Sequence, residues 1–264
     1  MEIIKNISHH GGRPDRFDNA NIAEHNGSHS SNWAHGSPER TDHSPPIDTL
    51  APTFLYSNRI IAFDSSNSMA HAYDVLRNHL VVDDRNLPAR TIAVSSPSSG
   101  CGTTVTAINL ALSFARVPGA NVILVDANAR NPCVGKTLGL APEPSYMDPV
   151  YGWTTTLDIG GINLSFLRAA WGEPKTPLPV DLSRMTSQAD LCRQVMKPTH
   201  VILDLPPLLN SDEVIPFIEM SDTVVVVLAV GKSKLSDLQI GRSYIGPTKR
   251  TQVLLNKTRR HDLR

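Results

Sequence analysis

The stretch IAVSSPSSGCGTTVTAINLALSFA, residues 92–115, decides the fold, because three local patterns follow one another in it. A β-rich apolar run comes first, a serine and glycine turn follows, and the last part has the apolar spacing of a helix. Strand, loop and helix in this order are typical of a loop that binds phosphate through backbone amides at a helix N-terminus. Gly100 and Gly102 would form the tight turn, and Thr104 would supply the hydroxyl for magnesium. Thr103 stands where such loops have lysine.

Length and charge restrict the class of protein. The chain has 264 residues, enough for one α/β domain with a sizeable core plus a tail. Its 25 basic and 25 acidic residues balance, so no global attraction to nucleic acid or anionic lipid is expected. Three unpatterned cysteines argue against a disulfide framework or a zinc site and favour the reducing cytosol. No apolar run reaches the roughly 18 to 20 residues that cross a bilayer, so work at a membrane would require a partner.

Residues 1–55 are predicted to form a disordered tail rich in His, Ser, Asn and Pro. The segment 8–53 has almost no aliphatic side chains with which to build a core, and its histidines lack a fixed ligand spacing. No metal site is predicted there. Residues 56–264 are predicted to form the single folded domain.

Short β-branched runs alternate with helical patterns throughout this domain. The predicted strands are 90–96, 121–127, 162–168, 200–206, 222–230 and 251–257. The predicted helices are 67–82, 103–117, 183–196 and 211–220. Near-continuous apolar strands are typical of a parallel sheet that is covered on both faces. The order predicts a doubly wound, mostly parallel α/β domain of the P-loop NTPase type.

Two of the predicted strands end in an aspartate. VILVDANARNP places Asp126 at a strand end with Arg130 four residues later, and HVILDLPP places Asp204 before two prolines. The carboxyl ends of neighbouring parallel strands meet at the crevice where open α/β sheets bind ligands. Each aspartate alone would also fit a strand-end cap, and the loop alone would fit a plain turn. The three elements together, in this order, favour one shared site.

From about residue 58 to 258 the chain resembles the cytoplasmic kinase domain of the bacterial tyrosine kinases of exopolysaccharide and capsule biosynthesis. That family is related to the deviant-Walker ATPases of septum placement and plasmid partitioning. The resemblance rests on IIAFDSSNSMAHAYDVLRNHL, SSPSSGCGTT, VILVDANARNPCVGKTLGL, VILDLPP, SDEV, VVVVLAVGKSKLSDL and VLLNK, in the family's order and spacing. It implies that the second, third and fourth stretches are the Walker A, Walker A′ and Walker B motifs.

The resemblance also implies a cofactor, ATP or ADP with Mg²⁺. It assigns the nucleotide to the loop residues Gly100, Gly102, Thr103 and Thr104. It assigns the metal to Thr104, Asp126 and Asp204, and any catalysis to the two aspartates.

Four departures from the family pattern predict impaired catalysis. Thr103 replaces the Walker A lysine, and Asn128 replaces the second aspartate of Walker A′. In the first helix, His71 and Asp74 replace a glutamate and an arginine through which the family's subunits form rings, leaving Arg77. The C-terminus NKTRRHDLR has none of the family's tyrosines. Loss of one preorganised charge-stabilising donor typically costs on the order of 100- to 1000-fold in rate.

The predicted function is that of a catalytically impaired, kinase-like protein of exopolysaccharide synthesis or export. It is expected in the cytoplasm, held at the inner membrane by the cytoplasmic part of a membrane polysaccharide co-polymerase, without membrane insertion or nucleic acid. Asp74 would repel an acidic neighbouring subunit and favour mixed oligomers. An active ATP-dependent tyrosine autokinase and a partitioning-type positioning ATPase are the alternatives. Lys136 or Lys232 would be able to supply the missing charge, with a solvated surface lysine as the alternative for each.

Overall fold

The structure, a computed structural model, describes residues 2–4, 47–81, 90–140, 154–167 and 196–258. The strands in these ranges are β1 Glu2–Ile4, β2 Ile47–Thr49, β3 Arg90–Ser95, β4 Val122–Asp126, β5 Thr154–Ile159, β6 Ile162–Leu167, β7 His200–Asp204, β8 Thr223–Ala229 and β9 Arg250–Asn256. The helices are α1 Pro52–Ser57, α2 His71–Val81, α3 Thr103–Ala115, α4 Val134–Leu138, α5 Val214–Met220 and α6 Leu235–Ile245. Among these helices, none is long and apolar enough to cross a bilayer.

The strands form one sheet in the order β1-β9-β8-β3-β7-β4-β6-β5-β2. The pairs β1–β9 and β5–β6 are antiparallel, and the other neighbours are parallel. Strand β3, which leads into the glycine loop, lies in the interior of the sheet between β8 and β7. The predicted mostly parallel α/β sheet is confirmed.

The core lies on both faces of the sheet, as strand periodicity requires. In β3, Ile92 and Val94 join one apolar cluster with Phe114 of α3, whereas Ala93 joins a second cluster with Phe217 of α5. Helices α1 to α4 contribute to the first cluster, and α5 and α6 to the second. Helices therefore cover both faces, which explains why the interior strands are apolar throughout.

All six predicted strands are present as β3, β4, β6, β7, β8 and β9, with ends that differ by at most two residues. Three predicted helices correspond to α2, α3 and α5. The predicted helix 183–196 falls almost wholly outside the described residues. Strands β1, β2 and β5 and helices α1, α4 and α6 were not predicted.

The boundary of the folded domain lies closer to the N-terminus than the predicted residue 56. Strand β2 pairs in parallel with β5, and Leu50 and Leu55 are buried in the first apolar cluster. The boundary prediction is therefore corrected to residue 47 or earlier, because these two leucines bury apolar surface that a tail would leave in water. Residues 2–4 also depart from the predicted tail, because they form β1 and pair with β9. Residues 5–46 lie outside the described ranges, so for them the disordered tail stays a prediction.

A buried amide ties the segment before α2 to α3. Asn109 of α3 accepts hydrogen bonds from the Ile61 and Ala62 amides, at 2.7 and 2.9 Å. Its own amide group donates to the carbonyls of Arg59 and Val105, at 3.0 and 2.8 Å. Because all four hydrogen bonds are made, a polar group can be buried here without the penalty of an unsatisfied one.

Candidate nucleotide-binding site

The glycine loop joins β3 to α3, and its two glycines have left-handed backbone conformations. Gly100 has φ 75° and Gly102 has φ 93°. Such angles favour glycine because a β-carbon would clash with the backbone. At Gly102 a β-carbon would also collide with the side-chain amide of Asn256. The sequence prediction that these glycines make the tight turn agrees with this geometry.

Two side chains at the C-terminal end of β9 hold the loop's carbonyls. Lys257 Nζ donates to the Gly100 carbonyl at 2.8 Å, and Asn256 Nδ2 donates to the Cys101 carbonyl at 2.9 Å. In a trans peptide the N–H points opposite to the C=O, so the next two amides face away from these partners. Within the described residues, the backbone amides of 100–104 donate no hydrogen bond. They form a set of free donors at the N-terminus of a 13-residue helix, the arrangement that binds phosphate.

The two threonines of the loop have different partners. Thr103 Oγ1 donates to Ser96 Oγ at 3.0 Å, and Ser96 Oγ donates to the Ser98 carbonyl at 2.8 Å. Thr104 Oγ1 donates to Asp204 Oδ2 at 2.7 Å. Thr103 is therefore part of a neutral network inside the loop, whereas Thr104 links the loop to the strand ends.

The two aspartates are direct neighbours across β4 and β7, where Asp126 is opposite Asp204. Both are buried, with exposed fractions of 2% and 1%. Asp126 accepts from the Val134 amide at 3.0 Å and from the Asn128 amide at 3.3 Å. Burial, and then the nearby charge of Asp126, raises the pKa of Asp204 well above its usual value, and the hydrogen bond from Thr104 opposes this shift.

These residues fit a magnesium ion bound together with phosphate. The buried Oδ1 of Asp204 has no hydrogen-bond partner among the described residues, so the site has an acceptor to offer. Carboxylate and hydroxyl oxygens are ligands that Mg²⁺ prefers, and it takes several of its other ligands from water and substrate phosphates. The described residues contain no cluster of three or more His, Cys, Asp or Glu side chains able to hold a metal. Thr104, Asp126 and Asp204 would therefore hold the ion only in part.

Arg130 and the two candidate lysines lie in different places. Arg130 forms an ion pair with Glu213 at 2.6 Å, with 70% of the arginine side chain exposed, and Glu213 raises the pKa of Arg130. Lys136 is exposed on α4. Lys232, in the turn after β8, lies next to Gly100.

Sequence reasoning missed the contribution of Asn256 and Lys257. Both belong to the stretch VLLNK at the end of the last strand. A polar pair directly after an apolar parallel strand is the available signal, because such strand ends meet at the ligand crevice. That signal places the pair at the correct edge of the sheet but does not indicate which loop carbonyls it holds.

The first helix differs from its sequence-based picture. Asp74 of α2 accepts hydrogen bonds from Ser113 Oγ at 2.6 Å and from Arg116, and forms an ion pair with Arg77 at 3.2 Å. Arg77 also donates to the Ser113 carbonyl at 2.7 Å. The Asp74 carboxylate is therefore paired within the chain, and the expectation that Asp74 would repel an acidic neighbouring subunit stays a prediction. His71 is exposed.

A glycine loop at a helix N-terminus, with paired aspartates on adjacent strand ends of a mostly parallel sheet, defines a P-loop nucleotide-binding fold. No family model matches the chain. A curated relative, the tyrosine-protein kinase CpsD of Streptococcus pneumoniae serotype 4, is 25% identical over 173 residues, covering 64% of this chain and 76% of the relative.

Solved structures share the fold. The chimerical protein CapA2B2 matches with a TM-score of 0.62 and 20% identity, over 81% of this chain and 95% of that one. The kinase domain of the Escherichia coli tyrosine kinase ETK matches with a TM-score of 0.59 and 16% identity, over 85% of each chain. The resemblance drawn from the sequence is confirmed, since the chain is similar to a bacterial tyrosine-protein kinase and has the fold of these solved structures.

Proposed function

We propose that this protein is a kinase-like component of capsule or exopolysaccharide synthesis or export that has lost most phosphoryl-transfer activity. One observation carries the proposal. At the position of the family's lysine, the Thr103 hydroxyl donates to Ser96 within the loop. The backbone amides of residues 100–104 are free, and residues 100–104 include no lysine or arginine. The loop thus keeps the backbone donors for phosphate but lacks the charge of its lysine.

The loss affects the transition state more than binding. Phosphoryl transfer depends almost entirely on positioning and on stabilising charge at the transferring group. In this proposal the amides of 100–104 bind phosphate oxygens, and Thr104 and Asp204 orient a magnesium ion. Bound Mg²⁺ would neutralise charge on the phosphate oxygens. Asn128, the replacement for the second Walker A′ aspartate, has no carboxylate with which to accept a proton or anchor the ion.

The proposed partner is the cytoplasmic part of a membrane polysaccharide co-polymerase, which would hold this protein at the membrane. The similarity to bacterial tyrosine kinases supports this partner. The internal pairing of Asp74 with Arg77 and Arg116 supports mixed rather than homotypic assembly, because Arg77 is already hydrogen-bonded within the chain. A mixed assembly with a kinase-like subunit would then not require Asp74 or Arg77 to contact that subunit.

Phosphotyrosine detection on the purified protein with ATP and Mg²⁺ tests the loss of activity. We expect no signal above that of a control sample with Asp204→Ala, which removes the carboxylate next to Thr104. Robust autophosphorylation of the wild type, absent from the control, would contradict the proposal. It would favour an active tyrosine autokinase, the second candidate, which the position of Lys232 next to Gly100 supports.

A further inference from the structure

We propose that Lys232, in the turn after β8, supplies the positive charge that Thr103 lacks and binds the phosphate groups of a nucleotide at residues 100–104. The proposal rests on the phosphate-binding loop of the proposed function. It does not require that the bound nucleotide is hydrolysed.

Lys232 lies next to the first glycine of the loop. Its Nζ atom lies 2.5 Å from the point that a β-carbon on Gly100 would occupy, so the lysine is in this place only because residue 100 is glycine. The side chain is exposed, and its ammonium has no hydrogen-bond or ion-pair partner within the described residues. A free cation therefore lies directly beside the loop.

The turn that carries Lys232 is fixed against the loop. Ser233 Oγ accepts from the Ala229 amide at 2.9 Å, and the Lys232 amide donates to the Ala229 carbonyl at 3.1 Å. Ser233 Oγ also lies 3.4 Å from the sulfur of Cys101, a buried residue of the loop. These contacts limit the movement of the lysine backbone relative to the loop.

The other nearby cation is already engaged. Lys257 donates to the Gly100 carbonyl at 2.8 Å, so its role is to hold the loop's backbone. Lys136 lies on α4, outside the turns that contact the loop. Lys232 is thus the lysine whose charge is available to an anion.

The site offers both hydrogen-bond donors and a carboxylate oxygen, and this combination indicates the class of ligand. The free amides of 100–104 favour an anion, whereas the buried and unpartnered Oδ1 of Asp204 favours a cation or a donor. Thr104 joins the two, since it lies in the first turn of α3 and donates to the same aspartate. A magnesium-bound nucleoside diphosphate or triphosphate satisfies both, and a simple anion does not.

Calorimetric titration of the full chain with ADP and with a non-hydrolysable ATP analogue, both with Mg²⁺, tests the proposal. We expect Lys232→Ala to weaken binding by about tenfold or more, the typical effect of losing one charge-assisted hydrogen bond. Lys234→Ala is the matched control, since Lys234 is also exposed and lies two residues away, before α6. The affinity of Lys234→Ala for both nucleotides should stay within about twofold of the wild type. Lys232→Arg should keep most of the binding because it retains the charge.

A rescue variant makes the test specific for the phosphate charge. If Lys232 replaces the missing loop lysine, Thr103→Lys should restore the affinity of Lys232→Ala to within about threefold of the wild type. The two substitutions should then be non-additive, as expected for groups that act on the same phosphates. A denaturation curve for each variant without nucleotide would show that the fold is unchanged.

Two results would overturn the inference. One is a Lys232→Ala variant that binds as tightly as the wild type, and the other is a wild type that binds no nucleotide at millimolar concentration. Neither affects the proposed loss of activity. Conversely, a wild type that phosphorylates itself, but not after Lys232→Ala, would overturn the proposed function and support the role of Lys232.

Discussion

The two ends of helix α3 differ in how their polar groups are paired. At its N-terminus, Thr103 stands where the resemblance implies a lysine, and the backbone amides of residues 100–104 are free. Toward its C-terminus, Ser113 and Arg116 bind Asp74, which stands where the family has arginine. We call Asp74, Arg77, Ser113 and Arg116 the α2–α3 clamp. The loop thus has a neutral hydroxyl at residue 103, whereas the carboxylate of the clamp is paired within the chain.

The difference follows from what each region is made of. The loop is built from backbone, with its carbonyls held by Asn256 and Lys257, so one side-chain change leaves its shape in place. The clamp is built from side chains, so one change of charge alters every contact. Burial alone would raise the pKa of Asp74, but the hydrogen bonds from Arg116 and Ser113 outweigh burial and lower it. The clamp thus joins α2 to α3 through side chains, and the loop presents free backbone amides.

The largest expected effect is a gain of ATP hydrolysis at the loop. Thr103→Lys combined with Asn128→Asp should raise the hydrolysis rate on the order of 100-fold over the wild type. Each substitution introduces a charged side chain that stabilises the same transition state of phosphoryl transfer. Each single variant should gain less than the pair. A phosphate-release assay measures this, with the pair plus Asp204→Ala as the control. A wild type as fast as the double variant would show that the loop has lost nothing.

The next effect tests the clamp. Asp74→Ala should lower the free energy of unfolding by about 2 kcal/mol, because it leaves Arg77 and Arg116 partly buried without their carboxylate. Urea denaturation measures this, and Asp237→Ala, at an acidic residue of α6, is the control with little expected change. An Asp74→Ala variant as stable as the wild type would mean that the clamp does not add to the free energy of unfolding.

The clamp also has a pH signature. Because its folded pKa is lowered, Asp74 contributes stability that is present above its unfolded pKa of about 4 and is lost as pH falls below it. The difference in unfolding free energy between the wild type and Asp74→Asn should therefore shrink below about pH 4. A constant difference from pH 7 to pH 3 would argue against an ionic contribution.

A smaller effect is expected near the C-terminus of α3, where Phe114 contacts His200 of β7. The ring of His200 lies 4.2 Å from that of Phe114, and burial, followed by the charge of Arg90, lowers the pKa of His200 to about 4. The unfolded chain takes up this proton near pH 6.5, so stability falls as pH drops from 6.5 toward 4. Between pH 7 and 5 the wild type should lose about 1 kcal/mol more than His200→Gln, after allowance for solvent screening. Parallel pH profiles would refute this.

The smallest effect is expected on assembly. Because Arg77 and Asp74 are paired within the chain, raising the salt concentration should not change the mass of the purified protein. Light scattering should give a mass near 28.8 kDa, that of one chain, at both low and moderate salt. A stable homo-octamer at moderate salt would show that ring formation does not depend on these positions.

Local patterns were sufficient for the sheet and for part of the site. Apolar runs predicted six strands, and the strand-end rule brought Asp126 and Asp204 together. Helix α6 was missed because its apolar pattern is blurred: Leu235 and Ile240 are 71% and 50% exposed. Such outward apolar residues remove the one-sided spacing on which helix prediction depends.

The contacts that complete the loop and the clamp were beyond the sequence. Lys257 and Gly100 are 157 positions apart, and Arg116 and Asp74 are 42 apart. Composition and periodicity report on neighbouring residues, so they indicate which edge of the sheet a side chain joins but not its partner there. Asp74 shows this clearly, since its charge was correctly noted and its partners were not.

The strand order has a consequence for how the chain is made. Strand β3 lies between β7 and β8, and its hydrogen-bond partners Pro206 and Asp222 lie 111 and 131 positions after Ser95 and Thr91. During synthesis, β3 therefore leaves the ribosome long before either neighbour exists. One hydrogen-bonding edge of β3 stays open until β7 emerges and the other until β8 emerges, and contacts of such long sequence separation form slowly. Nascent chains that end before β7 should thus depend on chaperones, and the glycine loop should be among the last parts of the protein to take shape.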